Sequence, residues 1–202
     1  RQIIDSMHQL AQEKNIKLGQ IFEQVIKEAY THWVQLNDQV IDLGAHQGVH
    51  LFPLAQCVGT KGKVYGFEPI PHLYKDLKRR IRQQKLRQIK LYSYAIGKEK
   101  GRSDFQHFRE YPAYSGLQQR DTPFTDTEGQ LETIRVKQTT LDRIIKPTQA
   151  IRLIKIDIEG GELHALMGAT AIIQQARPII IFENGNQASA RTYNYSRDDF
   201  FD

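Results

Sequence analysis

The chain has 202 residues, a formal net charge of +5, 40% hydrophobic and 25% charged residues, which is the make-up of an ordinary globular domain rather than a disordered or fibrous chain. No apolar run reaches the roughly 18 residues that a membrane span needs. Cys57 is the only cysteine; this excludes an internal disulfide or a cysteine-based metal cluster, suits a reducing compartment such as the cytoplasm, and reads as a small buried hydrophobe.

In chain order, the first residue is Arg1 rather than Met, so the natural N-terminus is expected upstream, with any leader it carries. Residues 3–14 and 20–34 predict helices. In the second, Ile21, Val25, Ile26 and Ala29 recur at helical spacing. They are expected to lie against the core or to begin a substrate lid.

The pattern then changes to alternating strands and helices. Residues 39–42 predict a strand ending in an acid, 44–48 a glycine-rich loop and 50–58 a helix. A strand follows at 63–67, a helix at 71–84 and a strand at 89–93. From about 102 to 137 the pattern is irregular, with a strand candidate at each end, 102–108 and 131–137. Residues 151–157 predict a strand, 162–167 a helix and 178–182 a further strand, apolar enough to be buried on both faces. No repeat, low-complexity tract or linker interrupts the chain. The expectation is one α/β domain with a doubly wound, mostly parallel sheet. Its parts are N-terminal helices at 1–35, a core at 36–185 and an incomplete C-terminal part at 186–202.

A basic run, Lys75, Lys78, Arg79, Arg80, Arg82, Lys85, Arg87 and Lys90, supplies much of the charge. Such a face can attract nucleic acid or another polyanion. No aromatics interleave with it as a nucleic-acid groove requires, which favours a solvated helix surface.

Three segments carry chemistry. In a doubly wound sheet, ligands bind beyond the carboxyl ends of the strands. The loop after the first strand reads Asp42-Leu43-Gly44-Ala45-His46-Gln47-Gly48. Gly44 and Gly48 permit a sharp turn and close approach to a ligand. The G-x-G-x-x-G spacing of a pyrophosphate cradle is absent. Asp42 would repel pyrophosphate and attract the ammonium of an amino-acid moiety. Glu68, one residue past the second strand and followed by Pro69, stands about twenty residues beyond Gly48, where a carboxylate accepts from ribose hydroxyls. Tyr94 and Ala95, after the third strand, are placed to flank an adenine. In Lys155-Ile156-Asp157-Ile158-Glu159, the period of two puts the three charges on one strand face. That predicts Asp157 and Glu159 at the mouth of a site and a buried Lys155 paired with an acid. The last strand likewise ends in Glu183, so four neighbouring strand ends carry acids.

The blocks VIDLGAHQG, FEP, AIG, TTLDRI, IKIDIEGGELHALMGA and RPIIIFENG, in this order and spacing, resemble the FkbM-like methyltransferases over roughly residues 36–185. The resemblance implies a class I, Rossmann-like fold, S-adenosylmethionine (SAM) as cofactor, and methyl transfer to a hydroxyl, often on a sugar, glycan or secondary metabolite. Carried over by position, Asp42, Gly44, Ala45, Gly48, Glu68, Tyr94, Ala95 and Asp157 would line the SAM site, with His46 in the same loop and Pro69 beside Glu68. A complete class I fold continues with a helix and a hairpin, for which 184–202 is too short, so the last strands are expected beyond it.

If the acceptor is a hydroxyl, a base must take its proton. Glu159, Glu183 and Asp157 are the candidates, ahead of His46 and His164. Asp157 with Glu159 or Glu183 could alternatively hold a hard divalent ion, though no metal is assigned. A non-catalytic nucleoside-binding scaffold and a nucleic-acid methyltransferase are the competing classes. The stretch 101–130, with Phe105, Phe108, Tyr111, Tyr114 and Ser115, is expected to form the acceptor-side wall or a lid.

Overall fold

The computed structural model describes residues 18–111, 115–117, 125, 128 and 130–182. The helix expected at 3–14, Tyr114 and the strand-end acid Glu183 lie outside them. The first half of the chain runs α1 (Leu18–Trp33), β1 (Gln39–Leu43), α2 (Leu51–Val58), β2 (Lys63–Phe67), α3 (Pro71–Gln83), β3 (Ile89–Tyr92) and β4 (Ala95–Ile96). The second runs β5 (Gly101–Phe108), β6 (Leu131–Thr139), α4 (Leu141–Ile144), β7 (Ile151–Ile156), α5 (Glu162–Met167), α6 (Thr170–Ala176) and β8 (Ile179–Phe182).

Among the described residues the main sheet has the order β3-β2-β1-β7-β8, with every pairing parallel. The winding reverses between β1 and β7, and that reversal opens the crevice in which such folds bind ligands. This is the class I, Rossmann-like arrangement that the sequence predicts. Register places Asp42 opposite Gly66 on one side and Lys155 on the other.

The strand period of two sends alternate residues to opposite faces. Ile41, Leu43, Phe67, Ile154 and Ile156 pack with Leu141, Ala165 and Ile172 on one face. Val40, Val64 and Leu153 pack with Leu51, Leu54, Leu77 and Tyr30 on the other. Each such aliphatic side chain, fully withdrawn from water, contributes about 1.5–3 kcal/mol. Asp42 and Lys155 belong to the second face, beneath α1 and α2.

The strands expected at the two ends of the irregular stretch are present as β5 and β6. β5 pairs antiparallel with β6 from Gly101↔Gln138 to Phe108↔Leu131, and β6 pairs parallel with β4, making a second, three-stranded sheet. Two sequence expectations are corrected. First, β8 is half-buried at every position rather than buried on both faces, because among the described residues only β7 flanks it. Secondly, α6 was not foreseen. It begins without a cap of its own; instead the Asp142 carboxylate accepts from the N–H groups of Ala171 and Ile172 at 2.9 and 3.0 Å, across about thirty residues of chain.

The basic run lies on and after α3 as a largely exposed face. Arg79 and Arg80 pair with Asp76, and Arg80 also stacks over Phe52 at 4.5 Å and donates to the Gln47 carbonyl at 2.6 Å. Among the described residues no helix is long and apolar enough to cross a membrane.

Candidate active site

A cavity opens at the carboxyl ends of β1, β2 and β7, where the loop after each strand contributes to its wall. The β1 loop supplies Gly44, Ala45 and His46; the β2 end supplies Glu68 and Pro69; the β7 end supplies Asp157 and Glu159. Tyr94 and Ala95 also line it, as does the short strand β4 that follows β3.

The β1 loop reaches this position through two left-handed residues, Gly44 at φ 79° and His46 at φ 46°. At Gly44 the loop passes directly over the end of β7, and a Cβ there would collide with the carbonyl oxygen of Asp157. Only glycine allows that approach. Gly48, at φ 87°, does not reach the cavity wall. It closes the turn by donating to the Ala45 carbonyl at 2.7 Å, and a Cβ there would meet the Phe52 ring and Leu77.

Glu68 is 3% exposed. One carboxylate oxygen accepts from the Ile70 N–H at 2.8 Å and the other from the His46 N–H at 2.7 Å, so this side chain also ties the β2 end to the β1 loop. Burial raises its pKa to about 7, against the pull of those two N–H groups. Each oxygen keeps a lone pair for a donor from a ligand.

Lys155 is buried, as the sequence predicts, with its ammonium 3.4 Å from Asp42, 3.4 Å from Asp157 and 3.3 Å from the Gly44 carbonyl. Burial works against the ammonium, but the two acids outweigh it and hold its pKa above the ordinary lysine value. Asp42 is 0% exposed and receives no hydrogen bond among the described residues. Burial pushes its carboxyl up, opposed by Lys155. Asp42 does not itself line the cavity; it sits under Lys155 and acts on the site through it.

The expectation that Lys155, Asp157 and Glu159 share one strand face holds only for the first two. β7 ends at Ile156, and Glu159 takes a left-handed backbone, φ 60°, so alternation does not set its direction. The loop is held instead by Glu162. It is 2% exposed and accepts from the N–H groups of Gly160 at 2.9 Å and Ile158 at 3.3 Å. His164 is on α5 and is not part of the wall. Among the described residues no three His, Cys, Asp or Glu side chains converge as a metal site.

One contribution was missed by the sequence. Glu23 comes from α1 to the cavity wall, where it pairs with His50 at 2.5 Å, and His50 lies 3.4 Å from the Tyr30 hydroxyl. On the far side, Phe105, Ser115 and Leu117 close the cavity. Of the five residues expected in an acceptor wall, Phe105 and Ser115 are there. Phe108 is buried in the protein, and Tyr111 is half exposed.

A family model described as Methyltransferase FkbM domain matches residues 42–198. No curated protein matches the chain. Solved structures similar to it include an rRNA methylase from Streptococcus thermophilus, 12% identical over 84% of this chain and 76% of that one, with a TM-score of 0.44. Others are a SAM-dependent O-methyltransferase from Thermotoga maritima (23% identity, 38% and 29% of the two chains, TM-score 0.34) and a SAM-dependent methyltransferase from Aquifex aeolicus (23%, 41% and 42%, TM-score 0.32). The match spans less than half the length of those last two proteins.

Proposed function

The chain belongs to the FkbM methyltransferase family, a SAM-dependent group, and on that premise we propose that it is a single-domain, cytoplasmic O-methyltransferase acting on a hydroxyl of a sugar, glycan or secondary metabolite. The observation that carries the reading is the convergence of two kinds of group on one cavity. Glu68, Tyr94 and Ala95 suit a nucleoside, and the Lys155 charge cluster suits an amino-acid end.

In this reading Glu68 accepts from the ribose hydroxyls, and its backbone partners keep its oxygens in place. Tyr94 and Ala95 flank the adenine, and Pro69 and Ile70 shape that end of the wall. The backbone of Gly44, Ala45 and His46 passes the methionine portion. Asp42, Asp157 and Lys155 carry two negative charges against one positive, which leaves an excess that favours an ammonium.

Bound SAM supplies an electrophilic methyl on a sulfonium, whose C–S bond breaks as the acceptor's O–C bond forms. The chain's task is alignment and removal of the acceptor's proton. Asp157 and Glu159, at the mouth, are candidates to receive it; Glu183 is a third candidate from the sequence. A calorimetric titration should show binding of SAM and of its demethylated product. Incubation with methyl-labelled SAM and a glycan panel should then transfer the label. Absence of binding by both nucleosides at millimolar concentration would overturn the proposal.

A further inference from the structure

Beside the second sheet, one polar side chain reaches the cavity, Ser115, among the apolar Ala95, Ile96, Phe105 and Leu117. Ser115 is 5% exposed and is pinned there by a two-hydrogen-bond bridge between Gln106 and Gly116, at 2.8 and 3.1 Å. Its Oγ lies 3.1 Å from Nδ1 of His107. The imidazole is 2% exposed, and its other nitrogen, Nε2, faces the Glu132 carboxylate at 3.9 Å. Arg109 holds that carboxylate at 2.6 Å. The line Ser115–His107–Glu132 therefore runs from the cavity to a partly exposed acid.

The relay uses the tautomer that the neighbouring charges favour. Glu132, at 3.9 Å from Nε2, is too far for a hydrogen bond, but its charge favours the ring hydrogen on that nitrogen; with the hydrogen there, Nδ1 is the acceptor toward Ser115. The N–H of Phe108 donates to Ser115 Oγ at 3.0 Å, which leaves the hydroxyl's own hydrogen for Nδ1. One Oγ lone pair then remains for a donor in the cavity.

We propose that Ser115 contacts the methyl-accepting hydroxyl and that His107, as a positioning residue behind it, drains the acceptor's proton through Ser115 toward Glu132. This rests on the hydroxyl-methylation reading above. As the acceptor oxygen takes the methyl, its proton passes to Ser115 Oγ. Ser115's own proton passes to His107 Nδ1, giving an imidazolium beside Glu132. The acceptor leaves as a methyl ether and the spent nucleoside as a neutral thioether, and the single proton given up by the acceptor is balanced by the one gained by His107.

The groups facing His107 are consistent with a base that is neutral at rest. Burial lowers its pKa, the His72 ring at 5.2 Å lowers it further, and Glu132 opposes both, with Arg109 and His46 as weaker depressing charges. A ring that is neutral near pH 7 can accept a proton.

The test has two readouts. Long-range proton–nitrogen NMR on protein labelled in its 7 histidines, with His107→Gln to assign the signal, should show His107 neutral and protonated at Nε2 at neutral pH. Ser115→Ala should lower kcat about a hundredfold toward the hydroxyl identified by the labelled panel, with unchanged affinity for the demethylated nucleoside. Ser115→Thr should restore most of the rate. The rise of kcat with pH through the His107 pKa should vanish in His107→Gln. An Nδ1-protonated ring, or a kcat unaltered in Ser115→Ala, overturns the relay and leaves the hydroxyl reading standing. Failure of the unaltered protein to label any hydroxyl overturns both.

Discussion

Replacing Lys155 by methionine keeps most of the stem's volume and removes the ammonium from beneath the site. Lys155 is 2% exposed and Asp42 0%, and the two face each other across the β1–β7 register at 3.4 Å. At an effective dielectric of about 20, unit charges at that spacing attract by about 5 kcal/mol. The cost of burying them offsets much of this, but the variant leaves Asp42 buried without its main compensating charge. Removing one partner of such a pair costs about 3–5 kcal/mol, and urea denaturation followed by circular dichroism should show that loss near neutral pH. Burial already raises Asp42, and without Lys155 its folded pKa rises further above the unfolded value. A carboxyl shifted in that direction burdens the fold fully above its folded pKa and not at all below its unfolded one. The variant should therefore regain stability as pH falls through the raised Asp42 pKa toward the ordinary aspartate range. The double variant Lys155→Met/Asp42→Asn should recover most of it without acid. A loss under about 1 kcal/mol, or equal losses in the single and double variants, would refute the reasoning.

Glu68, with its pKa near 7, is about nine-tenths ionised at about pH 8 and one-tenth at about pH 6. If its ionised form receives the ribose hydroxyls, calorimetry should find the demethylated nucleoside bound about tenfold more weakly at the lower pH; Glu68→Gln should bind weakly at both, and a pH-independent wild type would exclude the contact. Gly44→Ala forces a side chain into a left-handed position and against the Asp157 carbonyl; a cost of about 2 kcal/mol or more should lower Tm by at least about 4 °C. An unchanged Tm would contradict the close passage of the two loops.

The main sheet was legible because its parallel strands are short apolar runs, all but β3 followed at once by an acid or glycine, and β2 runs over the predicted residues, Lys63–Phe67. Lys155 was legible for a physical reason: an ammonium in an apolar strand has to be paired. What could not be read are the relations across the chain. Pairing of β5 with β6 joins segments separated by more than twenty residues of mixed composition, and no local pattern specifies that register. The capping of α6 by Asp142 and the arrival of Glu23 from α1 depend equally on tertiary placement. Glu159 shows how periodicity fails at a strand end. β7 stops at Ile156, and three residues on a left-handed backbone, not the pleat, sets the direction of Glu159. His107 was invisible as part of a site because its meaning depends on Ser115, eight residues on.

The chemistry of the transferred methyl tests the central claim most directly. With SAM carrying carbon-13 in its methyl group, and a mixture of glycans, hydroxylated metabolites and RNA offered together, carbon NMR of the products locates the label. A labelled methyl ether, formed by the unaltered protein and lost when Glu68 is replaced by alanine, is the predicted result. Label on a nucleobase or an amine, or no product from a protein that binds SAM, would contradict the assignment to hydroxyl methylation.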